Sequence, residues 1–225
     1  MLVARREERL RALAEELDGE YELCDIADRE AVERTAAAIV ERHPRIALLV
    51  CSAGIPGRSG FLDIEPERLE QLVRTNYLGG VWCLRAFLPA LEAAAGADVV
   101  NVVSVAGVVA FPPSGPYSAS KHAQLAFSRA TAAELRRRGI RVHTVNPGFV
   151  ETEGFPQRAV LSNPLFRRAV VEPEDVARHV VRSLERRRGE TYVPGWYRAF
   201  GIVQALLPGL VGRVAARSRY RVGSN

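Results

Sequence analysis

The sequence predicts an α/β protein: a doubly wound, mainly parallel sheet with helices on both faces. Two observations carry this prediction. Strand-like and helix-like segments alternate along nearly the whole chain, which is how parallel strands joined by crossover helices are strung together. The strand-like segments are short aliphatic runs followed by polar or glycine-containing groups, as expected of strands covered on both sides.

Residues 2–4 read as the end of a strand. Residues 7–17 read as a helix, because Leu10, Leu13, Ala14 and Leu17 recur at helical spacing. Tyr21 to Cys24 makes a short strand, 28–42 an amphipathic helix, and Ile46 to Cys51 an apolar strand ending in Ser52-Ala53-Gly54. A long helix over 66–94 precedes a buried strand from Val99 to Val103. A helix over 117–138 leads to a strand from Arg141 to Val145, broken by Pro147-Gly148. An irregular stretch covers 153–172. Pro173 suits a first helical turn and opens a helix to about Arg187; Thr191 to Val193 forms a last short strand, and an apolar helix with basic residues closes the chain. Residues 1–195 are read as one domain and 196–225 as a helical tail, with no internal repeat or low-complexity linker.

Composition narrows the class. The 225 residues, 48% hydrophobic and 25% charged, suffice for one buried core and exclude a disordered tail, collagen or a coiled coil. Cys24, Cys51 and Cys83 are odd in number and lie in apolar surroundings. They read as small buried hydrophobes in a reducing compartment, with neither a disulfide framework nor a zinc site. No apolar run reaches the roughly 18 residues of a membrane span, and the first residues lack a signal peptide's apolar stretch, so a cytoplasmic address is expected. The net charge of +5 comes from basic residues scattered among 26 acids, so nucleic acid is not an expected partner. Of the 31 basic side chains, 30 are Arg and one is Lys121. The ammonium differs from guanidinium in shape and in how readily its pKa moves, which marks position 121 for a specific task.

Ligands of such sheets bind in the crevice at the carboxyl ends of the strands. The residues there are Arg5-Arg6, Asp25-Ile26, Ser52-Ala53-Gly54, Ser104 and Pro147-Gly148-Phe149-Val150-Glu151-Thr152. Tyr117 and Lys121 stand four apart in a helix, so their side chains share a face and can converge on one small molecule. A phenol with a pKa of about 10 is a poor acid or base at neutral pH, whereas a nearby ammonium favours the phenolate. Lys121 is expected to supply that field. Ser104 can hydrogen-bond a substrate carbonyl or the developing oxyanion, and Asn76 could hold a water that links the lysine to solvent.

Tyr117-Ser118-Ala119-Ser120-Lys121, Ser104 thirteen residues before the tyrosine, Thr75-Asn76-Tyr77-Leu78-Gly79, Cys51-Ser52-Ala53-Gly54, Asp25, and Pro147-Gly148 followed by Thr152 occur together in this order. In these motifs the chain resembles the short-chain dehydrogenase/reductase family, from Leu2 to Pro194. The resemblance implies a Rossmann-like fold and hydride transfer between a nicotinamide cofactor and a carbonyl or alcohol. It assigns Tyr117 as the proton donor or acceptor, Lys121 as the residue that lowers its pKa and holds the nicotinamide ribose, Ser104 as the group orienting substrate, and Asn76 as part of a proton relay. Asp25 and Ile26 would flank the adenine, Ser52, Ala53 and Gly54 would pass beneath the ribose, and Pro147, Gly148, Val150 and Thr152 would frame the nicotinamide. Arg5 stands where an arginine meets a 2′-phosphate, with Ala4 at the family's acidic position, so NADP is preferred over NAD. The family's dimers use the helices at 66–94 and 117–138, so a homo-oligomer is expected. Members with similar tails point to a lipophilic substrate.

The chain also departs from the pattern. Ser52 replaces the family's asparagine. The family's opening strand, glycine-rich turn and helix have no counterpart upstream of Arg5, so nothing there cradles a pyrophosphate at a helix N-terminus. In the family's strand order the missing strand lies between those ending at Ala4 and Cys51. Its loss would leave about ten ladder groups unmatched at roughly 1 kcal/mol each. The expectation is therefore an N-terminally truncated fold: either Met1 is a misassigned start, or the shortened chain closes its sheet differently and loses ordinary cofactor binding. The competing function is a non-catalytic or cofactor-impaired relative that acts as a binding or regulatory protein.

Other readings are weaker. A serine-lysine hydrolase is disfavoured because no Gly-x-Ser-x-Gly elbow is present. His43, His122, His143 and His179 lack metal-ligand spacing and read as surface or packing histidines, so no metal is expected. The tail from Trp196 through Val214 is aromatic and aliphatic and ends in arginines. It could cover the cleft, pack against a second subunit or make peripheral membrane contact.

Overall fold

The computed structural model describes residues 1–110, 112–152 and 169–217. Strand β1 (Leu2–Ala4), helix α1 (Glu7–Glu16), β2 (Tyr21–Leu23), α2 (Arg29–Arg42) and β3 (Leu48–Cys51) open the chain. Helices α3 (Pro66–Val73) and α4 (Gly79–Ala93) then lead to β4 (Asp98–Val102), α5 (Gly115–Arg136) and β5 (Arg141–Pro147). The short strands β6 (Phe149–Val150) and β7 (Val170–Val171) precede α6 (Pro173–Glu185), β8 (Glu190–Val193), α7 (Arg198–Leu206) and α8 (Pro208–Arg217).

Local chemistry explains the boundaries. Asp28 starts α2 by accepting bonds from the Glu30 and Ala31 amides at 2.9 and 3.2 Å, groups that otherwise lack helical partners. Pro173 starts α6 beside a reciprocal cap between Glu172 and Asp175. The helix expected over 66–94 is continuous in path, but Arg74–Leu78 forms a wider π-helical turn between α3 and α4. The expectation of irregular chain over 153–172 is corrected at its end, where β7 pairs in parallel with β6; residues 153–168 lie outside the described residues.

Strands β3, β4, β5 and β8 form a parallel four-stranded sheet in that order, and β1 pairs in parallel with β2. Alternation along β4 decides the two core layers. Val99 joins Ile39, Leu84, Phe87, Leu91, Leu135 and Ile140 on one face. Val100, Val145 and Val193 meet Val176, Val180 and Leu184 of α6 on the other. No ladder joins β1 to β3, so each ends its sheet among the described residues. Val3, Leu48 and Val50 are exposed there.

All three cysteines are free thiols, with Cys24 buried and the others half-buried. Burial pushes Cys51 up to about 12 and Cys83 up to about 11, which suppresses the reactive thiolate.

His143, read from the sequence as a surface or packing histidine, is buried and hydrogen-bonded. Its Nε2 lies 2.8 Å from Asp98 Oδ1 and its Nδ1 2.7 Å from the Arg188 carbonyl. Arg141 donates twice to the same carboxylate, at 2.8 and 2.9 Å. Burial alone would raise the Asp98 pKa, but the bonds from Arg141 and His143 outweigh it and hold the carboxyl below its ordinary value. The resulting stability is present above the unfolded pKa of about 3.9 and is lost as pH falls through the lower folded value. Asp98→Asn is expected to destabilise the fold by about 1–3 kcal/mol at neutral pH and to flatten this acid dependence. Urea unfolding of both proteins as a function of pH measures both effects.

Candidate active site

Parallel strands send their carboxyl ends to one edge of a sheet, and that edge gathers the polar residues. Ser104 follows β4 and caps a single 3₁₀ turn, Val105–Gly107, by accepting from the Ala106 amide at 3.1 Å. Gly107 lets this turn press on α5, because a Cβ there would come within 2.9 Å of the Lys121 carbonyl oxygen. Helix α5 presents Tyr117 and Lys121 one turn apart. The Ser104 hydroxyl lies near enough to the phenol to draw its pKa down, and Lys121 Nζ lies 5.9 Å from the centre of the tyrosine ring.

Three sequence-derived residues therefore converge. Burial pushes Tyr117 up to about 12 against the opposing pull of Ser104, and desolvation brings Lys121 down to about 7. The expected lowering of the phenol by the ammonium is not what sets its pKa: burial raises it, the opposing pull comes from Ser104, and Tyr117 is a protonated donor at neutral pH. Lys121 is 3% exposed and donates to Gln124 Oε1 at 2.8 Å. An ammonium carries three donors, so capacity remains for the hydroxyls of a ribose.

Asn76 sits within the π-helical turn and is 1% exposed. Its Oδ1 accepts from the Ile55 amide at 2.7 Å, and its Nδ2 donates to the Ile55 carbonyl and to Ser120 Oγ, both at 3.1 Å. Ser120 in turn donates to the Tyr117 carbonyl at 2.8 Å. Asn76 thus ties the segment after β3 to the start of α5. A point one bond from the Gly54 backbone lies 3.3 Å from Asn76 Oδ1 and 3.6 Å from Lys121 Nζ, so Gly54 adjoins both. Ser52 and Ala53 are exposed just before it.

The last wall follows β5. The Gly148 amide donates to the Val193 carbonyl at 2.9 Å, and the Glu151 amide to the Val171 carbonyl at 3.1 Å, which holds Pro147, Val150 and Thr152 along the same edge. A Cβ on Gly148 would fall 2.3 Å from the Tyr197 ring, whose hydroxyl donates to the Ala169 carbonyl at 2.9 Å. Gly148→Ala is therefore expected to lower stability by about 1–3 kcal/mol through overpacking, read as a fall in thermal midpoint.

Arg5 and Asp25 meet each other: Arg5 Nη1 lies 3.4 Å from Asp25 Oδ2, with both side chains about half exposed. Ile26 packs instead against Gly79 of α4. Sequence reasoning missed Gln124, Ser120 and the π-helical turn. Gln124 and Ser120 were legible as residues three positions beyond Lys121 and Tyr117 on one helix, whereas no local spacing announced the π-helical turn. Among the described residues no group of His, Cys, Asp and Glu could hold a metal ion.

The short-chain dehydrogenase family model matches residues 1–159. The chain belongs to the short-chain dehydrogenase/reductase family. It is 31% identical over 243 residues to dehydrogenase/reductase SDR family member 7B of Xenopus laevis, an alignment covering 98% of this chain and 74% of that protein. A short-chain dehydrogenase from Burkholderia cenocepacia in complex with NADP superposes with a TM-score of 0.73 at 28% identity, covering 87% of this chain and 78% of that one. A short-chain dehydrogenase/reductase from Burkholderia phymatum in complex with NAD shares the fold, with a TM-score of 0.78 at 22% identity over 93% and 85% of the two chains. The family is one of nicotinamide-dependent oxidoreductases, and its solved members include both NADP and NAD complexes.

Proposed function

We propose that this protein transfers hydride between NADP(H) and a lipophilic carbonyl or alcohol. The observation that carries the reading is the convergence of the Tyr117 phenol, the neighbouring Ser104 hydroxyl that draws on it and the buried Lys121 amine. In the reductive direction the bound nicotinamide supplies the hydride. Ser104 holds the substrate oxygen, Tyr117 gives that oxygen a proton, and the Lys121 charge steadies the phenolate left behind. Asn76 then assists reprotonation through the water relay.

The residues suit the nicotinamide end of the cofactor. Lys121 has spare donors for the ribose, Gly54 adjoins it, and Pro147, Gly148, Val150 and Thr152 form the wall beside the ring. Asp25 and Ile26 would border the adenine, and Arg5 would take the 2′-phosphate once it exchanges Asp25 for the stronger anion. The chain is also read as a homo-oligomer through the α3–α4 and α5 helices.

One observation favours a second reading, a binding protein with an impaired cofactor pocket. The helix starts after β1 and β2 carry Glu7 and Glu8, and Asp28 and Glu30. Such acids oppose a pyrophosphate.

Fluorescence titration with NADPH and NADH, followed by coenzyme oxidation with ketones and aldehydes of increasing chain length, separates the two. NADPH binding tighter than NADH binding, with turnover rising as the carbonyl becomes more apolar, is the expected result. Absence of both binding and oxidation selects the second reading.

A further inference from the structure

The net charge of this chain is not spread along it. Residues 1–190 contain 26 acidic and 26 basic side chains, whereas residues 191–225 contain no acid and five arginines, which are Arg198, Arg213, Arg217, Arg219 and Arg221. The whole formal charge of +5 therefore resides in the last 35 residues. The same segment carries an uncovered apolar surface. Trp196, Phe200, Ile202, Leu206, Leu210 and Val214 are between 42% and 74% exposed. Ile202 and Leu206 stand four apart on α7, and Leu210 and Val214 four apart on α8, so each helix presents an apolar stripe. Arg213 is exposed on α8 beside its stripe, and Arg198 shares its field with Glu190, the last acid in the chain.

Helix α7 is anchored from below. Gly201 packs on Val108, where a Cβ would come within 3.1 Å, and Tyr197 is buried with Val105 and Tyr192 beneath Trp196 and Phe200. The outer stripes are thus held on a fixed base close to the turn that Ser104 caps. Phe61 and Leu62, 75% and 90% exposed, leave the same carboxyl edge of the sheet from the loop after β3. Among the described residues no helix is long and apolar enough to cross a membrane.

We infer that α7 and α8 dock this protein onto an anionic lipid surface, lying in the interface with their apolar stripes inserted and their arginines among acidic headgroups. Apolar insertion and the attraction of basic residues to anionic lipid are the two contributions such helices combine. A second copy of the chain could cover the apolar stripes, but clustered like charge on both partners would oppose that pairing, whereas an anionic surface attracts it. This inference goes beyond the proposed hydride transfer and does not need it. If both hold, the sheet edge that carries Ser104 lies toward the phase in which a lipophilic carbonyl resides.

The test is co-sedimentation of the full chain with vesicles of phosphatidylcholine alone, or containing about one third phosphatidylserine, at low and high salt, with sedimentation velocity run alongside. Binding to the phosphatidylserine vesicles that weakens in high salt, with little binding to phosphatidylcholine, is the expected result. Arg213→Gln should weaken it roughly fivefold. The double variant L206E/L210E, changed at exposed positions, should weaken it by about tenfold or more while keeping the thermal midpoint. Equal binding to both vesicle types, no binding, or binding unaffected by either variant overturns the inference. So does a dimer that fails to bind vesicles and that L206E/L210E converts to monomer, since the face would then be a subunit interface. Loss of coenzyme binding or turnover with vesicle binding intact counts against the catalytic reading alone.

Discussion

Tyr117→Phe is expected to lower the rate of carbonyl reduction by about 10²- to 10⁴-fold, the range that a positioned general acid contributes. The phenol is where the site's geometry converges. It is raised to about 12 by burial while Ser104 pulls the other way, so at neutral pH it holds the proton that a reduced carbonyl must acquire. The variant keeps the ring and the Cβ against which Gly57 packs, since a Cβ at Gly57 would lie 3.1 Å from Tyr117 Cβ, and should therefore melt at an unchanged temperature and still bind NADPH. The pH dependence has a definite sign. Reduction needs the protonated phenol, so its rate should stay flat from acid to mildly alkaline pH as far as Tyr117 is concerned. Alcohol oxidation needs the phenolate and should rise as pH climbs toward the phenol's pKa. Stopped-flow measurement of coenzyme absorbance in both directions checks this, and retention of full reductive activity by the phenylalanine variant would remove Tyr117 from the chemistry.

Lys121→Met is expected to uncouple function from stability. Activity should fall by a factor comparable to the tyrosine change, because the phenolate formed on proton transfer loses its counter-charge and the ribose loses its donor. Stability should respond differently. Desolvation lowers the Lys121 pKa from its ordinary value to about 7, whereas the unfolded chain keeps a value near 10.4. Between these values the unfolded state binds more protons at this group, so the contribution of Lys121 to stability rises from about pH 7 to about pH 10 and its full burial cost is felt below pH 7. The methionine variant lacks this titration, so the stability difference between parent and variant should change across that window, while the raised Cys51 and Cys83 thiols weaken both proteins alike as pH passes about 8.5. Gln124 loses the bond it accepts at 2.8 Å, which offsets part of the gain from removing a buried charge. Urea unfolding of the cofactor-free proteins across this pH range measures the difference, and parallel curves for parent and variant would contradict it.

On the proposed reading, the nicotinamide half of the site is better supplied than the phosphate half. Its groups arise from β4, α5 and the turn after β5, all within or beside the four-stranded sheet. The adenine and phosphate groups depend on β1, β2 and the starts of α1 and α2, which belong to a separate two-stranded ladder. Arg5 leans on Asp25, so the sign of charge offered to a 2′-phosphate depends on whether that pair opens. On the proposed reading, the choice between NADP and NAD would be set there.

Much was legible in the amino-acid order alone. Alternating apolar runs and amphipathic segments determined the strands and helices to within a few residues, because burial of one face imposes the repeat of 2 or 3.6. The four-residue step from Tyr117 to Lys121 determined that they share a helix face, and the use of one lysine among 31 basic residues marked its position. Tertiary structure decided what no local repeat encodes. It set which pull on each ionisable group prevails, since desolvation depends on neighbours distant in sequence. It turned Asn76 into a tie between Ile55 and Ser120, and buried His143 on Asp98. It paired β6 with β7 across residues far apart in the chain, and it left β1 and β3 without a common ladder. These outcomes follow from contacts between distant segments, whose energies emerge only once packing brings the groups together.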